Sequence, residues 1–301
     1  MPPRVLIMPA TLLVTGAAGH LGQRVVAHLL DTYGIAPERI IAGTRNPAKL
    51  GQLTDRGIQA RRLDFEDPAS LVGALAGVDR MLLISTDAID RPGRRLAQHK
   101  AVIESAGKSG VRHIVYTSMP NPDTSVVLFA PDHLGTEAAL AASGLSHTIL
   151  RNNWYMENLF MSLPAAFASG KWFTAAGDGR IPYISRDDCA RAAAAALAAD
   201  TSANSVYNIS GPERLTTAAI AGVVTEISGK PIEVVQVNEQ QLAGGLKAAG
   251  VPEFVIPLML SIEANTRLGK LDLQTDDCER LTGKAPQKLR DFLVANRAAL
   301  K

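Results

Sequence analysis

Short apolar runs alternate with longer stretches of apolar residues at helical spacing through the first half of the chain. The short runs are rich in Val, Ile and Leu, as buried strands are, and the longer stretches place apolar residues three and four positions apart. The predicted strands cover residues 12–15, 39–44, 58–65, 78–85, 111–118 and 146–151. Because parallel strands need long crossover connections, strands separated in this way by helices predict a parallel sheet with helices on both faces.

The pattern changes after Asn152. Residues 152–170 are predicted to form one apolar helix, and residues 171–185 an irregular segment of strand and loop. An alanine-rich helix follows Arg186, and residues 205–211 are predicted to return to the sheet as a seventh strand. The remainder is mostly helical in pattern and includes an apolar stretch at 253–267, which either packs in the core or covers a bound molecule.

These elements predict an α/β fold, a Rossmann-type doubly wound parallel sheet with a smaller, mostly helical C-terminal substrate lobe. The sheet domain is expected to comprise residues 1–155, with residues 186–211 returning to it. The substrate lobe is expected to comprise residues 156–185 and 212–301. Ligands of such sheets bind beyond the carboxyl ends of the strands, where functional residues are therefore expected.

A glycine motif joins the first predicted strand to the first predicted helix. Gly16, Gly19 and Gly22 lie in the segment VTGAAGHLG. At this spacing, in a dinucleotide-binding unit, the first glycine makes a tight turn, the second admits a pyrophosphate and the third allows close helix–strand packing. The spacing alone is a weak signal that also fits a plain turn, but its place between strand and helix favours nucleotide binding.

The second predicted strand ends in a basic residue where an NAD enzyme usually has an acid. Arg45 occupies this position, and Lys49 follows one helical turn later. A guanidinium binds a 2′-phosphate through forked, charge-assisted hydrogen bonds, whereas a carboxylate would repel it. The pattern therefore favours NADPH over NADH, with a solvated surface cation as the alternative for Arg45.

The composition narrows the class of protein. The chain has 301 residues, of which 47% are hydrophobic and 20% charged, as in globular proteins. A net charge of +2 gives no reason to expect a nucleic-acid partner.

Cys189 and Cys278 form no CxxC pair, which favours the reducing cytoplasm and argues against a metal site. No apolar run is long enough for a membrane span. The first ten residues make a poor signal peptide, and either Met1 or Met8 is the natural start.

Several motifs in order give the chain a family resemblance. The segments VTGAAGHLG, TRNPAK, LLIS, YTS, HLGTEAAL and LRNNWYMEN resemble the NmrA-like branch of the atypical short-chain dehydrogenase/reductase family. Within that branch the resemblance is strongest to the type 2 NAD(P)H:quinone oxidoreductases, followed by the triphenylmethane-dye reductases. It implies an NADPH site with Arg45 and Lys49 near the adenosine phosphate, and with Asp64 and Phe65 near the adenine. The other cofactor-binding residues that it implies are Gly16, Ala18, Gly19, His20, Leu21, Gly22, Ser85, Thr86, Thr117 and Asn152.

The proton donor of ordinary short-chain dehydrogenases is missing. None of the five tyrosines is followed four residues later by lysine, so no Tyr-x-x-x-Lys pair can protonate an alkoxide. Ser118 ends the fifth predicted strand without such a partner, and His133 lies in the next predicted helix. An intrinsically electrophilic acceptor such as a quinone or a cationic dye has less need of a proton donor from the protein, because its reduced form is neutral or a weakly basic phenolate. Hydride transfer then depends mainly on positioning.

The acceptor site is expected directly after the sixth predicted strand. Trp154 and Tyr155 are candidates to stack on a planar acceptor, with the start of a core helix as the alternative. Asn152 and Asn153 are candidates to hydrogen-bond the acceptor or the cofactor carboxamide. Arg186 either returns to this site or is a surface cation at a helix start. The catalytic candidates are Ser118, His133 and Tyr155. For His133 the alternative is a structural role, which is the more common one for a lone histidine on a helix.

Two functions follow from these observations. The first is an NADPH-dependent reductase of quinones or similar planar acceptors, and the second is a non-catalytic NAD(P)-binding redox sensor of the NmrA-like type. The intact glycine loop and the resemblance to reductases favour the enzyme. The expected partner is a small-molecule electron acceptor, with no nucleic acid, no membrane and no metal. The protein is expected to be cytoplasmic, with a homodimer as one option for its oligomeric state.

Overall fold

The structure is a computed structural model, and it describes residues 10–300. Its strands are β1 (Leu12–Val14), β2 (Ile40–Thr44), β3 (Gln59–Arg62), β4 (Arg80–Leu83), β5 (His113–Ser118), β6 (Ser146–Asn152), β7 (Lys171–Thr174), β8 (Ser205–Ile209) and β9 (Glu233–Gln236). The two alternative starts, Met1 and Met8, lie outside the described residues.

Helices follow most of the strands. They are α1 (His20–Ala27), α2 (Gly51–Thr54), α3 (Pro68–Leu75), α4 (Arg94–Lys108), α5 (Ala130–Ala142), α6 (Leu163–Ser169), α7 (Arg186–Ala198), α8 (Thr217–Ser228), α9 (Glu239–Ala248), α10 (Ile256–Arg267), α11 (Asp277–Thr282) and α12 (Leu289–Ala295). Within residues 10–300, no helix is long and apolar enough to cross a membrane.

Seven strands form one parallel sheet in the order β3-β2-β1-β4-β5-β6-β8, which confirms the predicted fold class. The order reverses between β1 and β4, which both pair with parallel neighbours. A reversal of this kind opens a crevice beyond the carboxyl ends of the strands, where dinucleotides bind in doubly wound folds. The seventh strand that was predicted from residues 205–211 is β8.

The chain forms two compact units. Within residues 10–300, the first comprises 10–117, 136–149 and 193–205, and the second comprises 118–135, 150–192 and 206–300. The first unit has a core of strand and helix residues that includes Leu13, Ile41, Met81, Val102 and Ile114. The core of the second includes Met156, Leu163, Ile220, Phe292 and Leu293, and this unit also contains the small parallel pair β7–β9. The boundaries of these two units differ from those of the two domains predicted from the sequence. The predicted domain boundaries stay a prediction.

Two predicted helices differ from the structure. The single helix predicted over 152–170 is wrong, because Asn152 still belongs to β6 and a 3₁₀ helix (Met156–Met161) precedes α6, which has a proline in its first turn. The helical pattern of residues 47–57 predicts one longer helix there, whereas the structure has a 3₁₀ turn (Pro47–Leu50) followed by α2. Proline at a helix start supports a new turn but cannot continue an earlier helix.

The approach of α1 to β1 depends on a missing side chain. A Cβ atom added to Gly22 would lie 2.3 Å from the carbonyl oxygen of Gly16 and 2.8 Å from the Cα of Ala17. Both neighbours are backbone atoms, which cannot rotate away as a side chain can. The third glycine of the motif therefore sets the spacing between the turn after β1 and the helix that follows.

We expect Gly22→Ala to destabilise the protein by roughly 1–3 kcal/mol, as overpacking does, because the added methyl group must displace backbone. Gly73→Ala is the matched control: Gly73 lies in α3 with open space around it, so alanine should be neutral or stabilising by roughly 0.5–1 kcal/mol. Urea unfolding of both variants measures the difference. Equal stability of the two variants would contradict the proposed packing.

Candidate functional site

The glycine loop leaves the amino end of α1 open. Gly16 has a φ of 59°, which ends β1 in a left-handed turn, and the N–H of Gly19 donates to the carbonyl of Gly16 at 2.9 Å. Gly19 is the N-cap of α1, and no side chain caps the helix. Gly16, Gly19 and His20 are exposed, whereas Leu21 and Gly22 are buried. Uncapped N–H groups and the positive end of the helix dipole suit a phosphate.

Two cations without partners follow β2. Arg45 and Lys49 are exposed, and within the described part of the chain neither side chain forms a hydrogen bond or an ion pair. Between them, the side chain of Asn46 accepts from the N–H of Ala48 at 3.1 Å and fixes the turn. The end of β2 therefore presents two charges that no residue in the described part of the chain neutralises.

The turn after β3 holds the two residues expected near the adenine. The hydroxyl of Ser70 accepts from the N–H of Asp64 at 2.9 Å and donates to the carbonyl of Asp64 at 3.0 Å. One carboxylate oxygen of Asp64 accepts from the N–H of Glu66 at 3.1 Å. Phe65 is half-buried against the core of the first unit. The turn is thus fixed by its own hydrogen bonds.

Ser85 and Thr86 follow β4, and Thr117 and a buried histidine hold them. The hydroxyl of Thr117 accepts from the N–H of Ser85 at 2.9 Å. The N–H of Thr86 donates to Nε2 of His99 at 3.2 Å, and Nδ1 of His99 contacts the hydroxyl of Thr136 at 2.9 Å. A backbone N–H can only donate, so Nε2 is the acceptor and the proton of the neutral ring is on Nδ1.

His99 is a residue that the sequence analysis missed. It is fully buried, and burial, aided by the charge of Arg95, lowers the pKa of its imidazole to about 3. The ring is therefore neutral at physiological pH, as the contact with Thr86 requires. The available signal was a histidine on the buried face of α4, in line with Val102 and Ala106.

Asn152 and Asn153 have different roles in the second unit. Both are buried. The amide nitrogen of Asn153 donates to the carbonyls of Leu271 and Leu273 at 3.0 and 3.3 Å, and its oxygen accepts from the N–H of Trp154 at 2.7 Å. The structure thus uses Asn153 to fix the chain, and its role in binding the acceptor stays a prediction. The amide oxygen of Asn152 has no hydrogen-bond partner among the described residues.

Tyr155 and Arg186 form a stacked pair. The guanidinium carbon of Arg186 lies 5.1 Å from the centre of the Tyr155 ring, within cation–π range. Arg186 begins α7, donates through its N–H to the carboxylate of Glu157 at 3.1 Å, and donates through its side chain to Asn158 at 3.1 Å. Burial raises the pKa of the Tyr155 phenol above its ordinary value, and the amide of Asn152 is 3.4 Å from the phenol oxygen.

The remaining candidates are enclosed. Ser118 ends β5 and is buried, and His133 is buried in α5 with its ring centre 5.7 Å from that of Phe129. Catalytic roles for both stay predictions.

Leu258 and Ile262 of α10 pack against Met119 and Val127, which supports core packing for the apolar stretch at 253–267.

Comparison with known proteins adds to this geometry. A family model described as NAD(P)H-binding matches residues 16–200. The chain is 37% identical to quinone oxidoreductase 2 of Escherichia coli (strain K12) over 270 residues, which cover 90% of this chain and 93% of that protein.

Solved structures of oxidoreductases are also similar to this chain. The crystal structure of NADPH-dependent quinone oxidoreductase 2 from Escherichia coli with NADPH is similar with a TM-score of 0.90 at 36% identity, covering 95% of this chain and 99% of that one. Triphenylmethane reductase of Citrobacter sp. with NADP(H) has a TM-score of 0.88 at 33% identity, with the same coverage of 95% and 99%. The similarity therefore extends over almost all of the chain.

Proposed function

The chain belongs to the NAD(P)H-binding, NmrA-like family of oxidoreductases, and we propose that it reduces quinones or similarly electrophilic planar acceptors with NADPH. The family resemblance of its motifs is thereby confirmed, and the chain is an enzyme that binds NAD(P)H. The preference for NADPH, the quinone-like acceptor and the source of the proton belong to the proposal.

The observation that carries the proposal is a dinucleotide-binding glycine loop in a chain that has no Tyr-x-x-x-Lys pair. Reduction of an ordinary ketone forms an alkoxide, which needs an acid in the transition state. No tyrosine has the required lysine, and burial raises the pKa of Tyr155, so its phenol is a weaker acid than usual. A quinone requires no such acid, because water can protonate the phenolate that forms.

The chain's residues fit NADPH. The open end of α1 provides backbone N–H donors for the pyrophosphate, and Arg45 and Lys49 provide unpaired charges for the 2′-phosphate. When bound, NADPH supplies a hydride from C4 of its nicotinamide. The unpartnered amide oxygen of Asn152 can accept an amide N–H of a ligand, which would satisfy a buried polar atom.

The stacked pair supports a planar acceptor. Tyr155 presents an aromatic ring whose position the guanidinium of Arg186 fixes, and Trp154 follows Asn153 at the same end of β6. Flat, rigid side chains bind a flat acceptor with little loss of conformational entropy, and they exclude water from it. We propose that Tyr155, Trp154 and Arg186 bind the acceptor.

The proposed setting is a reducing cytoplasm. Both cysteines, Cys189 and Cys278, are buried and free, and burial raises the pKa of each thiol. Neither is therefore activated as a thiolate at neutral pH. The homodimer stays a prediction.

Replacing Arg45 by alanine should weaken NADPH binding by about 1.5–3 kcal/mol, the value for a hydrogen bond to a charged group. NADH lacks the 2′-phosphate, so its binding should change much less. Fluorescence titration with each cofactor measures both effects. Equal weakening of NADPH and NADH would show that Arg45 does not contact the 2′-phosphate.

The acceptor class can be tested by following NADPH absorbance with benzoquinones, dyes and unactivated aliphatic ketones. We expect turnover with quinones and none with aliphatic ketones. Tyr155→Phe removes the hydroxyl and Tyr155→Ala also removes the ring, so the two variants separate acid catalysis from stacking. The first should cost far less than the ~10²–10⁴-fold effect of losing a general acid, whereas the second should reduce quinone turnover strongly.

Two outcomes would contradict this account. Efficient reduction of an ordinary ketone that Tyr155→Phe or Ser118→Ala abolishes would identify a protein acid. Tight NADPH binding with negligible turnover on every acceptor would instead favour the redox-sensor hypothesis.

A further inference from the structure

Arg94, the first residue of α4, joins the segments that follow β3 and β4. Its guanidinium donates to both carboxylate oxygens of Glu66, at 2.7 and 3.0 Å, and to both of Asp90, each at 3.0 Å. The side chain of Arg94 is 31% exposed. Glu66 directly follows Asp64 and Phe65, and Asp90 lies in the segment that begins with Ser85 and Thr86.

A second link joins the same segments one helical turn later. The amide of Gln98 donates to Glu66 at 2.9 Å, and its oxygen accepts from the hydroxyl of Thr86 at 2.7 Å. Hydrogen bonds from Arg94 and Gln98 lower the pKa of Glu66 to about 2, so its carboxylate is ionised at neutral pH. We call this hydrogen-bonded group the Arg94 clasp; it consists of the side chains of Arg94, Glu66, Asp90 and Gln98.

The two joined segments are not equally fixed without the clasp. Residues 64–70 have their own bonds, through Ser70 and through the cap that Asp67 provides to α3. In the segment 87–93 of the described chain, the side-chain hydrogen bonds all come from Arg94 to Asp90, and Asp90 also forms an ion pair with Arg91 of the same segment at 3.6 Å. Loss of the clasp should therefore loosen residues 87–93 and free the Thr86 hydroxyl from its link through Gln98 to Glu66. The backbone of Ser85 and Thr86 keeps its bonds to Thr117 and His99, and the turn after β3 stays in place.

We propose that Arg94 is a positioning residue for the nicotinamide half of the cofactor, because it holds the segment after β4 against the firmly fixed turn after β3. The inference rests on the proposed function and on the family resemblance, which implies that Asp64 and Phe65 lie near the adenine and that Ser85 and Thr86 flank the nicotinamide side. Arg94 itself need not touch the cofactor. Its forked geometry suits the role, since a guanidinium can bind two carboxylates at once and an ammonium cannot do so with the same geometry.

The test compares two ligands on one variant. Adenosine 2′,5′-bisphosphate reaches only the adenine side, whereas NADPH reaches both. For Arg94→Gln we expect the Kd of NADPH to rise about tenfold, as for the added cost of ordering a loop, and the Kd of adenosine 2′,5′-bisphosphate to stay within about twofold. Calorimetric titration of the full-length protein gives both values. Arg94→Lys, which keeps the charge and loses the fork, should behave as Arg94→Gln does.

Lys108→Gln is the matched control. Lys108 forms an exposed ion pair with Glu104 at 2.6 Å at the far end of the same helix, and its loss should change neither Kd. An unchanged NADPH affinity in both Arg94 variants would overturn the inference. So would an equal loss for both ligands, because a general loss of folded protein weakens both alike. Failure of the unaltered protein to bind NADPH would overturn the proposed function itself, a result distinct from either.

Discussion

The backbone of α1 passes so close to the end of β1 that no side chain fits at Gly22. This contact places an uncapped helix end directly beyond the carboxyl edge of the sheet, at the point where the strand order reverses. An anion there meets backbone N–H groups whose direction the packing has already fixed. The glycine loop therefore needs no charged side chain of its own to bind a pyrophosphate.

Charge around this loop is distributed unevenly. Four of the five acids that follow β3 and β4 are matched by arginines: Glu66 and Asp90 by Arg94, and Asp64 and Asp67 by Arg62. Arg45 and Lys49 have no such partners among the described residues. The first unit thus presents unpaired positive charge at the end of β2, while four of the carboxylates after β3 and β4 are paired with arginines. Such a pattern attracts a phosphate rather than a metal ion or a cationic ligand.

Periodicity and motif spacing predicted the parts of the structure that depend on local sequence. They predicted the parallel sheet, the glycine turn and the position of a basic residue directly after β2. Each of these follows from a few neighbouring residues: an apolar run, the spacing of glycines, or the end of a predicted strand. Periodicity and motif spacing do not reveal a contact with a distant part of the chain. Asn153 is an amide next to a predicted strand, but the carbonyls of Leu271 and Leu273 decide what it binds. Likewise, His99 and Arg94 are unremarkable on a helix until Thr86 and Glu66 are brought to them.

The central claim is that this chain transfers hydride to an electrophilic acceptor without a protein acid. It is tested most directly by single-turnover reduction of a benzoquinone, with NADPH or NADPH deuterated at both C4 positions, each in H₂O and in D₂O. The account predicts that deuterium on the cofactor slows the reaction, and that D₂O changes the rate little, because no protein proton moves in the same step. A D₂O effect as large as the cofactor effect, lost in Tyr155→Phe or Ser118→Ala, would contradict it.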